Sequence, residues 1–354
     1  MFNKALWMRN YKQSKFVIWG FWLVSLYFAY KFYNITEETE YSLANWAKWG
    51  NSDPYQFNFG NYFEIPVFQM LLIVTLATVL VGLERSNQSM DFTLSLPFKR
   101  KDIFFAKWVF GVVHIFAAVT VSIIISIIIL ITSVVHDYLP VTAFGYYYIV
   151  SLITLIGAYS FSLLIGFIGA SIVSQFAFSI IFLALPYGLY NLIYQGFKYH
   201  YQAFTGNYFS YPGKLQEIDH LFENLSFPTH LFELDNDIQN IFVWKWSDYS
   251  NLYLLIVPIA VTVLSLLFTS ILSKKMQSEN NGKVLAYEKL QPYLKAGVFI
   301  CFYLFGGMLV GGSSHRYDEV PSLLPYHLGG LGFSILAYFI VSKLSGLRLQ
   351  FGKK

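Results

Sequence analysis

Eight long apolar runs constrain this sequence more than any single motif. They lie at about 16–33, 64–83, 109–134, 146–169, 173–195, 251–272, 297–313 and 324–342. A helix needs about twenty residues to cross the hydrocarbon core of a bilayer. Inside that core every backbone N–H and C=O must be satisfied within the chain, which leaves helices or closed barrels. The runs do not alternate as barrel strands do, so they predict an all-α polytopic membrane protein with about eight transmembrane helices. Only 12% of the 354 residues are charged, against about a quarter in soluble domains. The mean hydropathy of +0.49 points the same way.

Charge sets the sides. The segments 1–15, 84–108, 273–296 and 343–354 hold four, five, five and four Lys or Arg residues, 18 of the chain's 24. By the positive-inside rule these segments are cytoplasmic, with both termini inside and 196–250 outside. The opening "MFNKALWMRNYKQSK" precedes a bulky aromatic run rather than a short signal core with a small-residue cleavage site. It reads as a cytoplasmic interfacial elbow over 1–15, followed by an uncleaved first span. The predicted organisation is helices one to five over 16–195, an external aromatic and acidic region over 196–250, helices six to eight over 251–342, and a cytoplasmic tail over 343–354. In the external region, Leu215, Ile218, Leu221, Phe222 and Leu225 repeat at helical spacing, which predicts a short amphipathic helix.

The spans carry little chemistry. They contain no Walker lysine loop, dinucleotide fingerprint, nucleophile elbow or zinc-ligand run. Ionisable residues are almost absent from their midplanes, which argues against a proton pump or ion-coupled carrier. The seven histidines are dispersed, Asp235-Asn236-Asp237 lacks the spacing of a calcium loop, and Cys301 stands alone in an apolar run. Basic residues are spread among loops, so the +4 net charge does not indicate nucleic-acid binding. Small residues four apart, Gly166/Ala170 and Gly307/Gly311, suit close helix packing. Pro186-Tyr187-Gly188 interrupts the fifth span: a fixed kink or a gating bend at Pro186 and Gly188.

The stretch "ERSNQSMDFTLSLPFKRKDIFFAKW", residues 84–108, is longer than a tether requires. Pro97 divides it into two short helical pieces. Met90, Phe92, Leu94 and Leu96 make the first piece apolar, and basic residues flank the second. The stretch either covers lipid headgroups or docks a soluble partner.

This stretch resembles the cytoplasmic loop of ABC-2 type ABC transporter permeases. The resemblance rests on Glu84-Arg85, Leu96-Pro97, the cluster Lys99-Arg100-Lys101, Asp102, the apolar Ile103-Phe104-Phe105, and Lys107 entering the next span. The basic "LWMRNYKQSK" is similar to that family's interfacial elbow. The overall layout is similar to Bacillus-type multi-span permeases that carry an acetoin-utilisation label, although ABC-2 proteins often have six spans. The resemblance implies a permease in the cell membrane, paired with a second copy or a related permease and with membrane lipids around it. It also implies a cytosolic ABC ATP-binding subunit that holds the ATP and magnesium, with no cofactor on this chain and no enzymatic activity of its own. Glu84, Arg85, Met90, Leu94, Leu96, Pro97, Lys99, Arg100, Lys101, Asp102, Phe104 and Lys107 would then form the coupling surface. The cargo would be amphiphilic, lipid-like or a peptide. A non-transporting scaffold or sensor in an envelope-stress complex is the alternative.

Overall fold

The computed structural model describes residues 4–48, 57, 59, 62, 64–87, 89–207, 209, 213–232, 234, 254–275, 282–314 and 321–345. Among them there is no strand, only an isolated antiparallel bridge between Gly169 and Leu285. The helices are α1 Lys4–Lys48, α2 Glu64–Ser86, α3 Met90–Ser95, α4 Arg100–Thr132, α5 Val141–Ile168, α6 Ile172–Thr205, α7 Gly213–Leu225, α8 Ile256–Leu272, α9 Gln291–Ser314 and α10 Leu323–Ser345. Seven of these, α1, α2, α4, α5, α6, α9 and α10, are long and apolar enough to cross a membrane. The expected span 251–272 is the exception. Its helix α8 has 17 residues, about 25 Å of rise, and 251–253 lie outside the described residues.

Among the described residues, the elbow expected over 1–15 does not form a helix of its own. α1 is one helix of 45 residues, about 67 Å long, so it projects well beyond a hydrocarbon core of about 30 Å. The reason is local. Residues 4–48 contain no proline and a single glycine, Gly20, and their short polar side chains bond back to the helix. Ser14 Oγ donates to Asn10 O at 2.7 Å, and Thr36 Oγ1 donates to Tyr33 O at 2.7 Å. α6 likewise continues to Thr205, ten residues past the expected limit. It ends at Gly206, whose φ of 68° suits a residue without Cβ.

The chain forms two compact units. One comprises 1–81, 94–165 and 227–276; the other comprises 82–93, 166–226 and 277–354. In the first, polar bonds join α1 to its neighbours. Gln13 Nε2 donates to Val79 O at 2.6 Å, Gln69 Nε2 donates to Ser25 Oγ at 3.1 Å, and Ser122 Oγ donates to Ser25 O. Lys31 pairs with Glu64. Phe28 and Phe32 pack against Phe59, Tyr62, Phe144 and Tyr147 in a buried aromatic cluster.

In the second unit, α9 and α10 approach backbone to backbone. A Cβ on Gly306 would lie 2.7 Å from Gly329 O, and one on Gly329 would lie 2.6 Å from Gly306 O. The close approach therefore uses Gly306 and Gly329. Gly307 and Gly311, the expected pair, instead receive the Tyr326 ring, with Tyr199 also against Gly311.

Candidate coupling site

The stretch 84–108 does not fold as a uniform surface. Its first part belongs to the second unit. Gly82 sits where a Cβ would fall 2.8 Å from Gln175 Oε1 and 2.9 Å from Ile172 Cα. Ser86 Oγ accepts from Ile172 N at 2.8 Å. Arg85 is 1% exposed, and its Nη1 donates to Gly169 O at 3.1 Å. These contacts fasten the end of α2 to the three-residue turn Gly169-Ala170-Ser171 between α5 and α6. A capping box closes that turn, with Ser171 Oγ accepting from Ser174 N at 3.2 Å and Ser174 Oγ accepting from Ser171 N at 3.1 Å.

A third segment reaches the same turn. Gly282 N donates to Ala170 O at 2.7 Å, Ala170 N donates to Val284 O at 3.4 Å, and Ala286 N donates to Ile168 O at 2.8 Å. The strap 282–286 thus lies along the hairpin turn like a short strand. A Cβ on Gly169 would meet Gln175 N at 2.9 Å, so the turn needs glycine there. Buried cations are costly unless hydrogen-bonded. Arg85 meets the Gly169 carbonyl but keeps its Nε buried without a partner among the described residues.

The later part belongs to the first unit. Ile103, Phe104 and Lys107 are buried. The Lys107 ammonium, 1% exposed, donates to Leu80 O in α2. Tyr159 Oη donates to Lys107 O at 2.7 Å. Its ring covers Gly111 so closely that a Cβ there would lie 2.2 Å from Tyr159 Cζ. Trp108 Nε1 donates to Ser160 Oγ at 2.8 Å.

The twelve expected coupling residues therefore fall into two sets. Glu84, Arg85, Met90, Phe104 and Lys107 are buried. Arg85 and Lys107 bond to carbonyls of the fold, and all five are turned into the protein rather than toward its surface. Pro97, Lys99, Arg100, Lys101 and Asp102 are exposed, and Leu96 is half-buried. The Leu94 side chain lies outside the described residues. As the sequence suggested, Pro97 falls between two helices, α3 and α4. Two exposed aromatics were missing from the expected set: Phe92 at 65% and Phe105 at 52%. Phe105 stacks on Trp108 with centroids 5.6 Å apart. Helical spacing held the signal. In the short α3, Met90 and Thr93, three apart, are buried, and Asp91 and Phe92 point away.

Pro186 lies inside α6, which continues through it. The next backbone N–H, that of Tyr187, donates to Ser226 Oγ at 2.9 Å, and Ser226 is buried. An outside hydroxyl thus serves the backbone beside the proline, a common accommodation in membrane helices. A Cβ on Gly188 would meet nothing within 4 Å. Among the described residues, no group of three or more His, Cys, Asp or Glu side chains comes together to hold a metal. Asp235, Asn236, Asp237 and His315 lie outside the described residues.

Residues 54–215 match the family described as ABC-2 family transporter protein. That range runs from before α2 into α7 and includes the stretch 84–108, the hairpin turn and Pro186. The chain is also similar to the probable ABC transporter permease YtrC of Bacillus subtilis (strain 168), with 26% identity over 246 residues, covering 66% of this chain and 68% of the relative. No solved structure matches. The family match, the relative and the apolar helices together support an ABC-2 type permease.

Proposed function

We propose that this permease is the membrane subunit of an ATP-driven transporter in the cell membrane, coupled to a cytosolic ABC ATP-binding subunit through the exposed residues of 90–105. One observation supports this most directly. The stretch buries its conspicuous ionisable residues Glu84, Arg85 and Lys107 while leaving Phe92, Phe105 and the basic run 99–101 exposed at the surface of the chain. Large apolar side chains beside exposed cations suit a protein surface that is covered in the assembled complex. The partner would bind ATP and magnesium, and hydrolysis would be its work. A second copy or a related permease would complete the membrane part, with lipids around it.

In this reading both termini and 84–108 are cytoplasmic, as the distribution of 18 of 24 basic residues favours. Termini on one side require α8 to cross as an eighth helix. Its helical turns continue in Leu254–Leu255 and Ser273–Lys275, which lengthens the short apolar element. The scarcity of charge within the spans suits an amphiphilic, lipid-like or peptide cargo. A bend at Pro186 and Gly188 would serve as the gating element. Native purification in mild detergent with identification of co-purifying subunits tests the class. A stoichiometric ATP-binding subunit is the expected result. Its absence, with a regulatory protein bound at 84–108 instead, overturns the transporter reading in favour of a sensor.

A further inference from the structure

The seven histidines are scattered in sequence, yet the second unit brings two of them together from different helices. His200, near the end of α6, and His327, near the start of α10, have ring centroids 5.3 Å apart with planes inclined at 63°. Both are half-buried. Tyr326 stands edge-on to each, at 4.7 Å from His200 and 5.6 Å from His327.

Hydrogen bonding restricts which nitrogen each ring can offer. His200 Nδ1 lies 2.7 Å from Gly196 O. A carbonyl oxygen only accepts, so Nδ1 carries the proton and Nε2 keeps its lone pair. His327 Nδ1 lies 2.7 Å from Tyr303 Oη, and a phenolic oxygen can accept from it. With that polarity His327 also presents a bare Nε2. Metal-bound histidines are held in this way, the second nitrogen donating to a carbonyl or another oxygen. The spacing agrees as well. Two imidazoles sharing a tetrahedral ion through bonds of about 2.1 Å place their ring centres about 5 Å apart. Beside them Tyr326 is 1% exposed, and its Oη has no hydrogen-bond partner among the described residues. A water held on an ion could supply one.

We propose that His200 and His327 bind one divalent transition-metal ion of the zinc class through their Nε2 atoms, with solvent completing the coordination. Two protein ligands, rather than the four of a structural zinc site, make this an exchangeable site. A bound ion would tie α6 to the α9–α10 pair.

The test uses the full-length Cys301→Ser protein, stripped with chelator, in detergent or nanodiscs. Zn²⁺ is titrated calorimetrically, and Co²⁺ serves as the spectroscopic probe. The parent should bind one more equivalent of Zn²⁺ than His200→Gln or His327→Gln, and its visible Co²⁺ bands should vanish in both. His220→Gln, at an exposed histidine, should keep the equivalent. Tyr303→Phe retains both ligands but removes the oxygen that orients His327, and should weaken Zn²⁺ binding about 10- to 100-fold. It keeps the proposal testable if a histidine variant fails to fold. Equal stoichiometry and affinity in the parent, the histidine variants and Tyr303→Phe overturns the proposal. That outcome would leave the permease reading untouched.

Discussion

Phe92→Ala separates docking from folding. Phe92 is 65% exposed, so its truncation removes less buried area from the folded chain than truncation of a core aromatic. A fully buried aromatic covers about 150–250 Å², and covering the exposed share on association removes about 130 Å² from water. At about 25 cal/mol per Å² that is about 3 kcal/mol. Ordering the ring against a partner costs about 1 kcal/mol of it. The expected loss is therefore about 2 kcal/mol, or about 30-fold in Kd. The assay titrates the purified ATP-binding subunit onto nanodisc-held permease, with the thermal midpoint of the permease measured alongside. Lys99→Ala should cost less than about 1 kcal/mol, and its effect should shrink with added salt. Phe104→Ala should behave in the opposite way. Phe104 is 5% exposed, so the change should lower folded stability by about 3 kcal/mol with little direct effect on the partner. A Kd for Phe92→Ala within twofold of the parent refutes the docking role of α3. In that case the exposed ring faces lipid, and vesicle association of the stretch changes instead.

Three further outcomes follow from the geometry. Gly111→Ala should displace the Tyr159 ring and break its bond to Lys107 O, lowering stability by about 1–3 kcal/mol in a thermal unfolding assay; an unchanged midpoint contradicts the packing described. Arg85→Met should keep folded stability within about 1 kcal/mol, because an apolar side chain of similar volume often replaces a buried charge without loss. The ATPase activity of the proposed partner subunit, stimulated by the permease, should fall as the link to the hairpin turn is lost, and full stimulation would show that the link is dispensable. In a Cys301→Ser background, an impermeant thiol reagent applied to intact cells should label His220→Cys and spare Lys99→Cys, and the reverse pattern inverts the proposed topology.

Most membrane helices were legible because hydrocarbon imposes length and apolarity, and both are written in the local sequence. The runs 146–169 and 173–195 leave only 170–172 between them, which bounded the turn between α5 and α6. The limits of α1 and α6 were not. Water-exposed extensions of a helix carry no hydropathy signal, and nothing in 34–48 or 196–205 stops helix propagation. Site residues divided along a similar line. Glu84, Arg85 and Lys107 entered the expected set through the family resemblance, yet the contacts that the fold shows for Arg85 and Lys107 are with carbonyls near them in space. Arg85 reaches Gly169, 84 residues away in sequence, and no local pattern encodes that. The His200–His327 approach depends on long-range packing in the same way.

The burial of Arg85 and Lys107 alters what the charged part of the stretch can do. Each side chain donates to a main-chain carbonyl, Arg85 at the hairpin turn and Lys107 in α2. A salt bridge at the surface would be screened and weak, whereas a cation bonded to a carbonyl out of water is screened far less and has a position to keep. Arg85 belongs to the second compact unit and Lys107 to the first, so each fixes its own part of the stretch. The buried residues thus keep the stretch attached to the helices, and the exposed ones are left available for the docking proposed above.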